Sequence, residues 1–310
     1  MPTLLQLIPA RPDLQAALDQ RFTVHRFDKM PDQAAWLAAH GGEVDAVVTG
    51  GANGIPTSLM QALPKLRIVA INGVGFDKVD LDAARAQGVR VTNTPDVLTD
   101  DVADLAVGLT IALLRRLPQA HEFVRAGLWP QRERPLVHKV SGKRFGILGL
   151  GRIGQAVARR LAAFDGTIAY TDVSERPSPY IFYPDAVALA AASDVLVVCA
   201  AASAATRHIV NRAVLDALGP KGALVNVARG SIVDEPALVA ALQEGRLGSA
   251  ALDVFEDEPN VPAALRTMEN VVLTPHIASA TEETRAAMGA LVLANLDAFF
   301  AGQPLPTAVA

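Results

Sequence analysis

The sequence predicts an α/β protein of two doubly wound parallel-sheet domains, and two observations carry that prediction. Short apolar runs alternate with helix-like stretches in two separate series, one over residues 1–95 and one from residue 143 onward, which is the alternation that parallel βαβ units impose. The length of 310 residues suits two domains of ordinary size better than one. In the first series the runs at 4–8, 46–49, 66–71 and 89–91 read as strands. In the second, the runs from 143 and at 167–170, 195–199, 223–227, 249–252 and 271–273 do so.

Two helices join the series. Thr99 is a good N-cap, Asp100 and Asp101 suit the positive end of a helix dipole, and Val102, Leu105, Ala106, Leu109 and Leu113 form one apolar stripe. This predicts a long helix bridging the domains. Ser279 and Glu282 form a capping-box pattern ahead of an amphipathic run to about residue 300. The chain is therefore expected to cross back, so that residues 1–96 plus 281–310 form one domain and residues 97–280 an inserted second one. A cleft between them is the expected ligand site.

Composition excludes several classes. A net charge of −4 and an isoelectric point near 5.9 supply no basic field for nucleic acid or an anionic membrane surface. The apolar run at 195–205 is far shorter than the roughly twenty residues that span a bilayer. The N-terminal apolar stretch lacks a basic leader and meets Pro9, so it reads as a strand and not a signal peptide. The single cysteine, Cys199, permits no intrachain disulfide and points to the reducing cytoplasm. No metal site is expected.

The chemistry begins at Gly149-Leu150-Gly151-Arg152-Ile153-Gly154, which follows the apolar run 144–148 and precedes a helix-like run, with Asp172 eighteen residues past the last glycine. That context is a dinucleotide-binding fingerprint. Gly149 permits a tight turn, Gly151 lets backbone approach a diphosphate, and Gly154 lets the helix pack on its strand. N–H groups at the helix start then bind the anion. Asp172 is placed to accept hydrogen bonds from the adenosine ribose of NAD and to repel a 2′-phosphate. At about 4 Å and an effective dielectric near 20 that repulsion is on the order of 4 kcal/mol. NAD is the expected cofactor, while Arg176 on the following loop keeps NADP open as the alternative.

Three further patterns follow predicted strands: Val227-Ala228-Arg229-Gly230, Asp253-Val254-Phe255-Glu256-Asp257-Glu258-Pro259 and Thr274-Pro275-His276. The carboxyl ends of parallel strands are where ligands bind, so an Arg, an acid and a His arriving there can converge. Among Glu256, Asp257 and Glu258 the spacing alone does not choose.

Together with Asn72-Gly73-Val74-Gly75-Phe76-Asp77 and Val91-Thr92-Asn93-Thr94-Pro95-Asp96-Val97-Leu98-Thr99, these motifs resemble the D-2-hydroxyacid dehydrogenases, in particular the hydroxypyruvate, glyoxylate and hydroxyphenylpyruvate reductases, nearly end to end. The resemblance implies a Rossmann cofactor domain inserted into a flavodoxin-like substrate domain, and a homodimer. It implies that Arg229 binds the substrate carboxylate and carbonyl oxygen, that His276 is the acid/base, and that Glu258 pairs with His276 and favours its charged form. Gly73, Val74 and Gly75 are expected to offer N–H groups to the substrate carboxylate. Val173, Ser174, Ser203, Val227, Ala228 and Asp253 complete the expected cofactor surround. Trp129 resembles an aromatic that reaches toward a partner subunit's active site. The NADP-using relatives carry serine and arginine where this chain has Asp172 and Val173, and many relatives have proline where it has Ala201. The implied activity is reduction of a small 2-keto acid, glyoxylate or hydroxypyruvate, by hydride transfer. The alternatives are a larger keto acid (2-ketogluconate or hydroxyphenylpyruvate) and a nicotinamide-binding regulator without turnover.

Overall fold

The computed structural model describes all 310 residues, Met1–Ala310, which divide into two units, Met1–Leu98 with Ala280–Ala310 and Thr99–Ser279. In the first unit β1 (Thr3–Gln6), α1 (Pro12–Arg21), β2 (Thr23–Arg26), α2 (Gln33–His40), β3 (Ala46–Gly50), α3 (Thr57–Gln61), β4 (Ile68–Asn72), α4 (Leu81–Ala86) and β5 (Arg90–Thr92) follow one another. Its strands are all parallel in the order β2-β1-β3-β4-β5, the flavodoxin-like order. The second unit runs α5 (Thr99–Arg115), α6 (Leu117–Arg125), β6 (Arg144–Leu148), α7 (Arg152–Ala162), β7 (Thr167–Thr171), β8 (Ile181–Phe182), α8 (Ala186–Ala191), β9 (Val195–Val198), α9 (Arg212–Leu218), β10 (Ala223–Asn226), α10 (Glu235–Gln243), β11 (Ser249–Leu252), α11 (Ala263–Thr267) and β12 (Val271–Leu273). Its parallel sheet has the order β12-β11-β10-β9-β6-β7-β8, a Rossmann arrangement with its order reversing between β6 and β9. The chain ends in α12 (Glu282–Phe300), which packs on α1 and β4 of the first unit.

Strand alternation explains the first core. Leu4, Val48, Ile68 and Ala70 face Leu14, Leu18, Val292 and Leu296 from α1 and α12. Their neighbours Leu5, Val47, Val69 and Ile71 face the other way, onto Met60, Leu63 and Val91. Both faces are covered, so the strands carry unbroken apolar runs. In the second unit Leu196, Val198, Leu224, Ala250 and Leu252 bury one sheet face against Leu189, Leu215 and Leu238, and α5 packs on α7, β10 and β11.

The structure differs from the sequence expectation in three places. Strands β2 and β8 form without having been expected: β2 is half-buried at a sheet edge and mixes polar with apolar residues, and β8, Ile181–Phe182, is only two residues long. Thr99 is the first residue of α5 and not its cap, which leaves Asp100 and Asp101 in the first turn as expected. Ser279 caps nothing. Thr281, extended at φ −95° and ψ 159°, caps α12 by accepting the Thr284 N–H at 3.2 Å, because the helix starts at Glu282 and the cap is the non-helical residue directly before it.

The turns after β10 and β11 are in backbone contact. A Cβ on Gly230 would lie 1.9 Å from the Phe255 carbonyl carbon and 2.0 Å from its oxygen, so the two turns can adopt this spacing only with glycine there. Gly230→Ala is expected to lower unfolding free energy by at least about 2 kcal/mol, as core overpacking does. A urea midpoint equal to the wild type's would contradict that reading.

Candidate active site

The loop after β6 sits where the second sheet reverses order. Gly149 adopts a φ of 92°, and a Cβ on it would lie 2.6 Å from the Ala200 Cα in the loop after β9. A Cβ on Gly154 would lie 2.0 Å from the Gly149 carbonyl oxygen, whereas one on Gly151 would meet nothing within 4 Å. Gly151 caps α7 in extended conformation, so the first N–H groups of Arg152, Ile153 and Gly154 have no partner within the helix. Closely packed glycines flank an open helix start, a fit for the diphosphate of a dinucleotide.

Asp172, just past β7, accepts the Leu150 N–H at 3.0 Å, the Val173 N–H at 2.7 Å and the Arg176 Nε–H at 2.6 Å. Burial opposes its ionisation, but the Arg176 guanidinium and the two N–H groups outweigh that and hold the carboxyl below its ordinary value. Arg176 thus lies against Asp172 itself. Val173 and Ser174 are exposed beside this pair.

On the other side of the reversal three strand ends converge. Asn226 closes the turn after β10: its Oδ1 accepts the Ala228 N–H at 3.1 Å and its Nδ2 donates to the Arg229 carbonyl at 2.9 Å. Arg229 donates from Nη1 to the Ala228 carbonyl at 2.8 Å. The Nδ1 of His276 lies 2.7 Å from Glu258 Oε2, and Glu258 Oε1 accepts the Phe255 N–H at 3.0 Å. Burial raises the Glu258 carboxyl, but the His276 bond, the Phe255 N–H and the charges of His276 and Arg229 overcome it, so the group sits below its usual range. Arg229 therefore acts electrostatically on the His276–Glu258 pair, and Nε2 of His276 is the ring nitrogen that Glu258 does not engage.

The neighbouring acids have other partners. Asp257 Oδ2 accepts Asn260 Nδ2–H at 3.1 Å, while Glu256 Oε1 lies 2.8 Å from Arg207 Nη2 and 2.9 Å from His208 Nε2. Sequence reasoning misses His208, which forms a second His–Glu pair tying the loop after β9 to the acidic turn. No local signal marks it, because the pair depends on how two distant loops meet. Ser203 lies on that loop with its hydroxyl 3.1 Å from Thr206 Oγ1.

Two residues of the expected cofactor surround are buried. Asp253 is fully buried, its carboxylate accepting the Thr274 hydroxyl at 2.6 Å and the Ile277 and Ala278 N–H groups at 2.9 Å each. Its carboxylate holds the turn that carries His276. Val227 is buried at 6% exposure, because its side chain continues the inward face of β10; only its backbone is available. Ala228 is half-buried. In the first unit, Gly73 and Val74 are fixed by the Thr94 N–H on the Gly73 carbonyl at 2.9 Å and by Asn93 Nδ2 on the Val74 carbonyl at 2.8 Å. No group of three or more His, Cys, Asp or Glu residues is arranged to hold a metal ion, and no helix is long and apolar enough to cross a membrane.

The family model for the D-isomer specific 2-hydroxyacid dehydrogenase NAD binding domain matches residues 107–278. The chain is 52% identical over 307 residues to a hydroxyphenylpyruvate reductase from Plectranthus scutellarioides, covering 99% of this chain and 98% of that one. It is 50% identical, with the same coverage, to a glyoxylate/hydroxypyruvate reductase A from Arabidopsis thaliana. Among solved structures, an NADPH-dependent glyoxylate/hydroxypyruvate reductase from Sinorhizobium meliloti in complex with NADP and malonate superposes with a TM-score of 0.93 at 45% identity, covering 100% of this chain and 97% of that one.

The Glu258 carboxyl sits below its ordinary value in the folded protein, so its ionised form stabilises the fold above the ordinary carboxylate range and that contribution is lost as pH falls through the lowered native value. Glu258→Gln should therefore flatten the acid limb of the stability curve, read by thermal unfolding from about pH 7 to pH 3. An acid limb parallel to the wild type's would show that the pair contributes nothing to stability.

Proposed function

The chain belongs to the D-isomer specific 2-hydroxyacid dehydrogenase family, and we propose that it reduces a small 2-keto acid, glyoxylate or hydroxypyruvate, to the D-2-hydroxy acid. The observation that carries this reading is the 2.7 Å contact between His276 and Glu258 within the electrostatic reach of Arg229. A 2-keto acid presents a carboxylate beside a carbonyl, and the planar, permanently charged guanidinium of Arg229 holds both. The bound nicotinamide cofactor supplies the hydride. As negative charge develops on the carbonyl oxygen, protonated His276 stabilises it and then delivers its Nε2 proton. Glu258 keeps Nδ1 protonated, fixes the ring's orientation and offsets the imidazolium charge. In the reverse direction neutral His276 takes the hydroxyl proton. The N–H groups of Val74 and Gly75, in the turn that starts at Gly73, add hydrogen bonds to the substrate carboxylate.

The loop Gly149-Leu150-Gly151-Arg152-Ile153-Gly154 holds the cofactor diphosphate, and Asp172 with Val173 and Ser174 the adenosine end. Asp172 already carries the Arg176 counter-ion at 2.6 Å, which lessens but does not cancel its repulsion of a 2′-phosphate. NADH is thus the preferred cofactor, although the Sinorhizobium meliloti relative at 45% identity is NADPH-dependent. Ser203 and the backbone of Val227 and Ala228 line the same strand ends.

A homodimer is supported by the exposed apolar residues Leu117, Val124, Trp129 and Leu136 on and after α6, with Trp129 71% and Leu136 99% exposed. Exposed apolar side chains grouped in this way suit a protein–protein interface. A cytoplasmic site is supported by Cys199, half-buried with its thiol pushed up to about 12 by desolvation, which has no disulfide partner in the chain. A larger keto acid is the second reading, since the 52% identical relative is a hydroxyphenylpyruvate reductase.

The test is a panel of 2-keto acids assayed with NADH and NADPH at equal concentration. Glyoxylate or hydroxypyruvate with NADH should be fastest, and His276→Gln should lower kcat by roughly two to four decades, the range for loss of a general acid. Oxidation of neither reduced cofactor by any acid, or a near-wild-type His276→Gln, overturns the reading.

A further inference from the structure

Glu256, two residues before Glu258, gathers contacts from the loops after β9 and β10. Its Oε1 accepts from Arg207 Nη2 at 2.8 Å and from His208 Nε2 at 2.9 Å. Its N–H donates to Glu235 Oε2 at 3.3 Å, at the start of α10. The loop that carries Arg229 presses on the same point, for a Cβ on Gly230 would lie 2.3 Å from the Glu256 nitrogen. On either side of Glu256 lie Phe255, whose N–H holds Glu258 Oε1 at 3.0 Å, and the acidic turn that brings Glu258 to His276.

His208 is fixed through both its backbone and its ring. Its N–H donates to the Ser231 carbonyl at 2.9 Å, two residues past Arg229, and it keeps a φ of 52°. A non-glycine residue stays in that left-handed region only where its surroundings enforce it. Thr206 folds the preceding loop onto itself, its Oγ1 donating to the Ala201 carbonyl and accepting the Ser203 N–H, each at 2.8 Å. An exposed ion pair would contribute little, but the His208 and Glu256 side chains are only 32% and 26% exposed. Burial, with the charges of Glu256 and Asp257, holds the Glu235 carboxyl above its ordinary value. Arg207 and His208 therefore supply the cationic and donor groups that let these carboxylates collect beside Glu258.

We infer that Glu256 is a positioning residue for the acid/base pair: held by His208 and Arg207, it fixes the 255–258 turn so that Glu258 stays on His276. The inference rests on the keto-acid reduction proposed above and adds residues that act on His276 through Glu258. Displacement of a reacting group by about 1 Å can cost a hundredfold in rate, so the effect falls on kcat while Arg229 still binds the keto acid.

The experiment measures kcat, KM and the pH profile of reduction in the wild type, Glu256→Ala, His208→Ala, His208→Gln and the double variant Glu256→Ala/His208→Ala, with circular dichroism reporting folding. In the single alanine variants kcat should fall by about tenfold or more with the keto-acid KM within about twofold. The alkaline limb of the profile should move to lower pH, because Glu258 no longer favours the protonated imidazole that reduction requires. His208→Ala retains the Glu256 charge, so a shift there reports lost position. His208→Gln keeps a donor for Glu256 and should recover part of kcat, and the double variant should be no worse than the weaker single one, as one shared contact demands. If Glu256→Ala does not fold, the two His208 variants carry the same readouts. Wild-type kcat and limb in folded alanine variants, or losses that multiply in the double variant, overturn the assignment and leave the reduction intact. A wild type that reduces no keto acid overturns the reduction; hydrogen exchange at the Phe255 amide then decides the positioning, faster exchange in His208→Ala sustaining it and unchanged exchange overturning it.

Discussion

Asp253, closed off from solvent at the end of β11, accepts hydrogen bonds from the Thr274 hydroxyl and the Ile277 and Ala278 N–H groups, while its own carbonyl accepts the His276 N–H at 2.8 Å. His276 is held between these contacts at a φ of 54°, a left-handed conformation that a non-glycine residue keeps only when its surroundings enforce it. A buried carboxylate is costly to desolvate unless its lone pairs are used, and this one is used throughout by the turn after β12. The imidazole therefore stands where Glu258 can reach it.

The same logic separates the acids beside it. Glu256, Asp257 and Glu258 are consecutive, yet each has a different partner: His208 with Arg207, Asn260, and His276. The Glu256 contacts tie the loop after β9 to the acidic turn, and that loop's Ala200 lies against Gly149. Glycine fingerprint, loop and His276 pair thus form one continuous set of contacts across the second sheet. Arg229 completes the set through its charge on Glu258.

Much of this was legible in the sequence for a physical reason. Strands covered on both faces, such as β9 and β10, need apolar side chains at every position, so they stand out; β2, half-buried at an edge as Thr23-Val24-His25-Arg26, does not. Arg229 and His276 were visible because a charged or titratable side chain directly after a buried strand needs a reason. Glu258 was separable from Glu256 only by family resemblance, since the choice depends on how the 255–258 turn is folded. The commitment of Asp253 to that turn's neighbour and the His208–Glu256 pair across 48 residues both depend on three-dimensional contacts. Local spacing does not encode them.

The dependence of His276 on Asp253 is tested most directly by Asp253→Asn, which keeps the shape but replaces one accepting oxygen with an NH₂ facing a buried donor. An unsatisfied buried pair of this kind costs about 1–3 kcal/mol. The account predicts faster hydrogen exchange at the Ile277 and Ala278 amides together with a fall in keto-acid turnover of at least about a hundredfold, as expected when a general acid loses its position, in a protein that still unfolds cooperatively. Wild-type turnover with unaltered exchange at those amides would contradict it.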